Sequence, residues 1–477
     1  MKSIKIKILA AMALVAVACE GPLEENIYSQ LAPATLFTTE GGLTSVLNSA
    51  YANAHRSGVT ATWSAYFLGG NAAGEIWGQG GSIESLWVQL QDFTWDGTHA
   101  QIIAEWGVYF NAIRDANIVL DNINNPKFSA NFVSTSTAEA HFIRGWAYSE
   151  LYNLFGPLPL YKSSADDPLQ ARASDADTRQ MIEDELTIAM NTLPTDAVFG
   201  RGTKGAAMAI LAKYYLNTKQ WQKAADMAKG VMDLNKYALQ ANYASVFAFG
   251  NEGNSEMVWA LPKDATAATA ANNVVALVFP PNYPRPFTNN GVFAARTYLF
   301  DSFVNSFAAG DTRRNSIITA WSVGGNPQPA LGSNRSFPFK YGWDPNSQGA
   351  NQGNDVPVIR YADILLSRAE ALNEISGPTQ EAIDLINLVR ARAQVTPLSL
   401  GGFTQASLRD AILQERAWEF FHEGKSREDQ IRHGVFISRA VARGKNAQAY
   451  HVLYPIPVTE LDANDLLIQN EGYDTEN

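Results

Sequence analysis

The sequence predicts a mainly α protein built from paired helices, and three observations carry that expectation. Apolar residues recur at spacings of three and four over long windows. Gly and Pro punctuate the gaps between windows. Residues 240–355 lose helical period and fill with Gly, Asn, Pro and aromatics. A helix with one apolar stripe must bury it against a neighbour, so stacked pairs are expected, with the loop-rich interval inserted among them.

Taken in order, Lys2, Lys5 and Lys7 precede an apolar run from Ile8 to Ala18, the charged and apolar regions of an export signal. The run is too short to span a bilayer. The following Ala16-Val17-Ala18-Cys19 fits two fates: Ala-x-Ala suits an ordinary signal peptidase, and small residues before Cys suit lipoprotein processing. Cys19 is the single cysteine of 477 residues, so no intramolecular disulfide can form. Residues 1–18 are therefore expected to be a lipoprotein signal peptide and Cys19 the lipidation site. Plain secretion with a leftover thiol is the alternative, and Ala16 stands where Leu is usual. Residues 19–35 are expected to be the acylated N-terminus and a flexible tether, and residues 36–477 a single folded domain.

Within that domain Ile103, Trp106, Phe110, Ile113, Leu120 and Ile123 make one helical stripe ending before Asn125-Pro126. A second helix covers "STAEAHFIRGWAYSELYNLF" and stops at Gly156-Pro157, with Ser136 or Thr137 as expected cap. A hairpin follows, with Ala207, Ile210, Leu211, Tyr214 and Tyr215 facing Trp221, Ala224, Ala225, Ala228, Val231 and Met232. Small residues facing large ones across a tight turn are what a tetratricopeptide-type pair needs. Residues 360–374 and 379–393 form another pair, and "LRDAILQERAWEFFHEG" a further long helix. The pairs do not recur at a fixed 34-residue period, so insertions separate them.

Net charge −11 without a basic run beyond the signal argues against nucleic acid. Gly200-Arg201-Gly202-Thr203-Lys204-Gly205 matches G-x-G-x-x-G but follows a turn where a dinucleotide site needs a strand. Glu423-Gly424-Lys425-Ser426 mimics the end of a P-loop, yet Glu419 occupies the first glycine position. Neither H-E-x-x-H nor G-x-S-x-G occurs, and no cofactor or metal set is recognisable by spacing. The 47 acidic residues leave a glycosidase carboxylate pair open, so a surface glycoside hydrolase on a helical scaffold stays an alternative. Glu415, Glu419 and Glu423 repeat on one helix face among Arg416, Arg427 and Arg432, reading either as an anion clamp or as a helix-end salt-bridge network capped by Gly424.

The positive signal is tryptophan. Trp63, Trp77, Trp87, Trp95 and Trp106 fall within residues 63–106, among several glycines. Trp106 belongs to a helix stripe and reads as core. Trp77 in "GEIWGQGG" has neighbours too small to bury it, leaving a flat ring for a ligand. Sugar rings present apolar C–H faces that stack on such rings beside amides and carboxylates. The expected ligand-binding residues are Trp63, Tyr66, Asn71, Glu75, Trp77, Trp87 and Trp95, with Tyr283, Trp321 and Trp343 as outer members.

The C-terminal "LYPIPVTELDANDLLIQNEGY", with Tyr454-Pro455-Ile456-Pro457, Glu460, Gln469-Asn470 and Gly472-Tyr473, resembles the SusD/RagB family of outer-membrane nutrient-binding lipoproteins. "VIRYADILLSRAEALNE", "ERAWEFFHEGKSREDQIRHG", "EAHFIRGWAYSELYNLFGPLPLY" and the hairpin beginning at Thr203 extend the resemblance over nearly the whole mature chain. One element is looser: the family commonly has EG-R-x-x-D-L-x-R, where this chain has Lys425, Ser426, Arg427 and then Asp429-Gln430-Ile431-Arg432. The resemblance implies a mainly α, SusD-like fold with about four tetratricopeptide-like pairs and a few short strands. It further implies a surface site for a glycan or peptide-type nutrient, a SusC-like TonB-dependent transporter as partner, outer-membrane placement facing the exterior, and no catalysis. Glu20, Glu24 and Glu25 resemble the export tag of such lipoproteins. A purely structural helical adaptor without a small ligand is the remaining alternative.

Overall fold

The computed structural model describes residues 36–54, 67–267, 270–294 and 296–473. The signal peptide, Cys19, the tether, Trp63 and Tyr66 lie outside the described residues.

The described chain is mainly helical with short strands. Helices α1 (Glu40–Ala54), α3 (Ala100–Asn122), α4 (Ala130–Phe155) and α5 (Asp175–Thr192) pack in succession, α1 on α3, α3 on α4 and α4 on α5. Helices α6 (Lys204–Asn217) and α7 (Trp221–Asp233) form the expected hairpin. It leans on α9 (Tyr361–Ser376), which also holds α10 (Gln380–Arg392) and α11 (Gln405–Phe420). Shorter helices are α2 (Glu84–Asp92), α8 (Asp301–Val304), α12 (Ser426–Arg432), α13 (Phe436–Ala442) and α14 (Val458–Ala463).

Local chemistry sets these boundaries. Thr203 caps α6 by accepting from the Ala206 N–H, which fixes the G-x-G-x-x-G stretch as a helix entry. Gly205 faces the Tyr237 hydroxyl, where a Cβ would come within 2.3 Å. Helix α4 begins six residues before the expected cap. Ser129 caps it, and Ser136 is buried within it, because Phe132 packs edge-on against Phe128 and extends the apolar face.

Residues 240–355 carry little helix, as expected. The eight strands pair as four two-stranded antiparallel sheets among the described residues. They are β1 (Ile76–Gln79) with β3 (Arg296–Leu299), β2 (Met257–Leu261) with β8 (Val356–Arg360), β4 (Ile317–Ile318) with β7 (Phe337–Pro338), and β5 (Ala320–Val323) with β6 (Asn326–Pro329).

A buried ionic network bolts this region to the helices. Arg313 Nη1 reaches Glu415 Oε1 at 2.6 Å and Glu419 Oε2 at 3.2 Å, and Arg360 reaches Glu419 Oε1 at 3.0 Å and Glu423 Oε1 at 2.8 Å. Arg392 pairs with Glu419, and Lys340 with Glu423. Burial alone would raise the Glu419 carboxyl, but Arg392, Arg360 and Arg313 overcome it and hold the group well below the usual carboxylate range. The three glutamates therefore form a salt-bridge network at the end of α11 and the turn after it, buried and closed to a ligand, and no clamp. Their partners also differ from those expected: Arg416 pairs with Asp363 and Asp429, and Arg432 with Glu370 and Asp429.

The C-terminal motif is a lock. Tyr454 Oη donates to the Leu68 carbonyl at 2.9 Å, and Asn470 Nδ2 donates to the carbonyls of Tyr454 and Phe155. Gln469 closes on the Ile456 backbone from both sides, at 2.7 and 2.9 Å. Each side chain satisfies buried backbone groups, the Phe155 carbonyl at the end of α4 among them.

Candidate functional site

Strand β1 alternates inward and outward in the usual strand manner, with Ile76 and Gly78 buried and Trp77 and Gln79 half-exposed. Trp77 lies directly opposite Tyr298 of β3, and their rings stand 4.9 Å apart at 35°. The Trp77 indole N–H donates to the Asn334 carbonyl at 2.7 Å, which fixes the ring's edge while the side chain stays half-exposed.

From there the aromatics run on. Tyr298 meets buried Phe337 at 5.3 Å, Phe337 meets Trp321 at 5.3 Å, and Trp321 meets Tyr283 at 6.3 Å. Tyr283 stacks on Trp343 at 6.4 Å, and both pack on buried Phe279. Trp77, Tyr283, Trp321 and Trp343 are all half-buried, so one ledge of partly open rings rests on phenylalanines beneath. Offset and tilted pairs at these spacings are mutually stabilising, which keeps the ledge rigid before a ligand arrives. The Trp321 indole N–H has no hydrogen-bond acceptor among the described residues.

Four of the expected site residues do not join this ledge. Trp87 is wholly buried, its ring under Gly78, where a Cβ would come within 1.9 Å of the indole. Trp95 is 3% exposed and donates to Tyr473 Oη at 2.9 Å, so it belongs to the C-terminal lock. Asn71 is buried in the turn leading to β1. Glu75 is buried as well, its Oε1 accepting from the His422 N–H at 2.6 Å and its Oε2 bonded to Ser426 Oγ. Asn71 and Glu75 lie inside because the segment leading into β1 runs across the α11–α12 turn, where Gly69 meets the Gly424 backbone so closely that a Cβ would come within 2.0 Å of its carbonyl. Density of tryptophan along the sequence thus mixes core and ledge.

Sequence reasoning missed Tyr298, Phe300, Asn334 and Arg335. Phe300 sits 6.4 Å from Trp77, and Asn334 exchanges hydrogen bonds with Asp301. No alternation marks Tyr298, since every residue of β3 is buried. Nothing local marks Asn334, which acts through its carbonyl.

A helical scaffold presenting an aromatic ledge from inserted loops defines the class: a helical-repeat protein with a loop-built site. Residues 328–473 match the SusD family, and residues 23–216 match a family described as starch-binding and associating with outer membrane. SusD-like protein P25 of Formosa agariphila is 30% identical over 427 residues, covering 77% of this chain and 79% of that protein. The starch-binding protein SusD of Bacteroides thetaiotaomicron is 25% identical, covering 70% and 72%. Among solved structures, a laminarin-binding SusD-like protein superposes with a TM-score of 0.79 at 22% identity, over 91% of this chain and 100% of that one. Surface glycan-binding protein A from Bacteroides thetaiotaomicron, in complex with laminarihexaose, gives 0.79 at 19% identity, over 91% and 100%. The chain belongs to the SusD family.

Proposed function

We propose that the protein is a non-catalytic surface glycan-binding lipoprotein. It is held at the outer membrane through Cys19, captures an oligosaccharide on the ledge from Trp77 to Trp343, and passes it to a SusC-like TonB-dependent transporter. The observation that carries this reading is the run of half-buried rings, Trp77, Trp321, Tyr283 and Trp343, linked through the buried rings of Tyr298 and Phe337. Flat rings with fixed edges bury the C–H faces of sugars while amides nearby take the hydroxyls. The starch- and laminarin-binding relatives support the ligand class.

Glycoside hydrolysis would need two carboxylates flanking the scissile bond. Asp301 Oδ2 accepts from the N–H of Asn334, the residue whose carbonyl holds the Trp77 indole, so its hydrogen bonding serves the loop. Calorimetric titration of the soluble chain with an oligosaccharide panel, each mixture then assayed for cleavage, tests both halves. Saturable binding that Trp77→Ala weakens, without products, is the expected result. Products would restore the hydrolase reading.

A further inference from the structure

Resting on the reading of the ledge as a glycan platform, we propose that its glycan is anionic, bearing carboxylates or sulfate esters, and that Arg335 and Arg285 grip those groups. Charge distribution is the first observation. The whole chain carries −11, yet residues 283–343 hold six Lys and Arg against two Asp. Of the six, Arg313 and Lys340 are buried and neutralised by the glutamates of α11 and the turn after it.

Placement is the second. Arg335 is exposed and follows Asn334, whose carbonyl holds the Trp77 indole. Its Nη2 lies 3.4 Å from Gln79 Oε1, two residues along β1 from Trp77. Its charge acts on the ledge: burial raises the Tyr298 phenol, while Arg335 and Arg296 pull it down. Arg285 is exposed two residues beyond Tyr283 and bonds to the Asn290 carbonyl. Arg335 thus lies beside β1 at the Trp77 end of the series, and Arg285 follows two residues after Tyr283 at the other.

Pairing is the third. Neither arginine lies within ion-pair distance of a carboxylate among the described residues, whereas Arg144, Arg313, Arg360, Arg416 and Arg432 of the interior all do. A guanidinium presents a planar fork matched to the two oxygens of a carboxylate or sulfate, and such charge-assisted contacts exceed neutral ones in strength. A neutral glycan gives that fork only hydroxyls.

Calorimetry on the full-length chain tests this with hexasaccharide probes: an oligogalacturonate, a κ-carrageenan fragment, maltohexaose and laminarihexaose. At least one acidic probe is expected to bind more tightly than both neutral ones, the carboxylated or sulfated probe identifying the group. R285Q/R335Q should lower that affinity about tenfold or more, with an unchanged melting curve because both side chains are exposed. Neutral probes binding as tightly as acidic ones, insensitive to R285Q/R335Q but weakened by Trp77→Ala, would overturn the anionic assignment and leave the ledge intact. Failure of all four probes to saturate would remove the ledge reading as well.

Discussion

Glu75 Oε1 accepts a hydrogen bond from the backbone N–H of His422 at 2.6 Å, joining positions 347 residues apart. Glu75 immediately precedes the strand that carries Trp77, and His422 sits in the turn between α11 and α12 with φ +56°. The contact makes the ledge's first strand an extension of the helical scaffold. Gln430 Nε2 reinforces it by donating to the Ala73 carbonyl at 3.0 Å.

Glu75 should make stability fall as pH rises. Burial pushes its carboxyl up to about 8, against the lowering effects of the His422 N–H and Lys340. A raised folded-state value means the neutral acid is preferred in the fold. Its stabilisation is full below the ordinary carboxylate value near 4.5 and is lost as pH climbs towards 8. Glu75→Gln keeps an acceptor for His422 and a donor for Ser426 without the charge. The variant should match the wild type at pH 4 and exceed it by about 2–4 kcal/mol at pH 8, read from denaturant midpoints at both pH values. Equal pH dependence of the two proteins would contradict the assignment.

Trp77 and Trp87 should separate function from stability. Trp77 is half-buried at one end of the aromatic series. Trp77→Ala should therefore cost about tenfold or more in glycan affinity with little change in melting temperature. Trp87 is completely buried against Phe67 at 4.7 Å. Trp87→Ala should destabilise by about 3–5 kcal/mol through the cavity it leaves. Titration calorimetry beside thermal melting of each variant distinguishes the two roles.

The helices were readable because their information is local: a stripe of apolar residues at three and four, a cap, and a breaker. The α6–α7 hairpin appears where Ala207–Met232 predict it. The ledge was half readable. The loop-rich interval pointed to Tyr283, Trp321 and Trp343, and small flanking residues to Trp77, and all four are half-buried in one aromatic series. Trp87 and Trp95 share the same glycine-rich setting but go inside, because the partners that bury them, Phe67 and the Tyr454–Tyr473 lock, are set by tertiary packing. Tyr298 was invisible for the same reason. Its register opposite Trp77 spans 221 residues, and no pattern within either segment encodes it.

Gly78 is expected to be intolerant of any side chain. A Cβ there would lie 1.9 Å from Trp87 Cε3 and 2.3 Å from Cδ2, and the indole is walled in and cannot retreat. Gly78→Ala should cost about 1–3 kcal/mol and also weaken glycan binding, since the displaced strand carries Trp77. Gly41→Ala, at a helical position where an added Cβ meets nothing, is the control and should leave both melting and binding unchanged.

The Glu419 network should be far more sensitive to losing a carboxylate than its surface-like sequence context implies. Three guanidiniums, those of Arg313, Arg360 and Arg392, converge on one fully buried side chain that joins α11 to β8, to α10 and to the loop before β4. Removing the charge strands cations where water cannot reach them, and that imbalance, more than the lost attraction, sets the penalty. Glu419→Gln should cost about 3–5 kcal/mol in denaturant unfolding. Because the same residues fix the frame of the 283–343 loops, the folded fraction of the variant should also bind glycan more weakly. A stable variant with unchanged affinity would show that the loops hold the ledge without this ionic bolt.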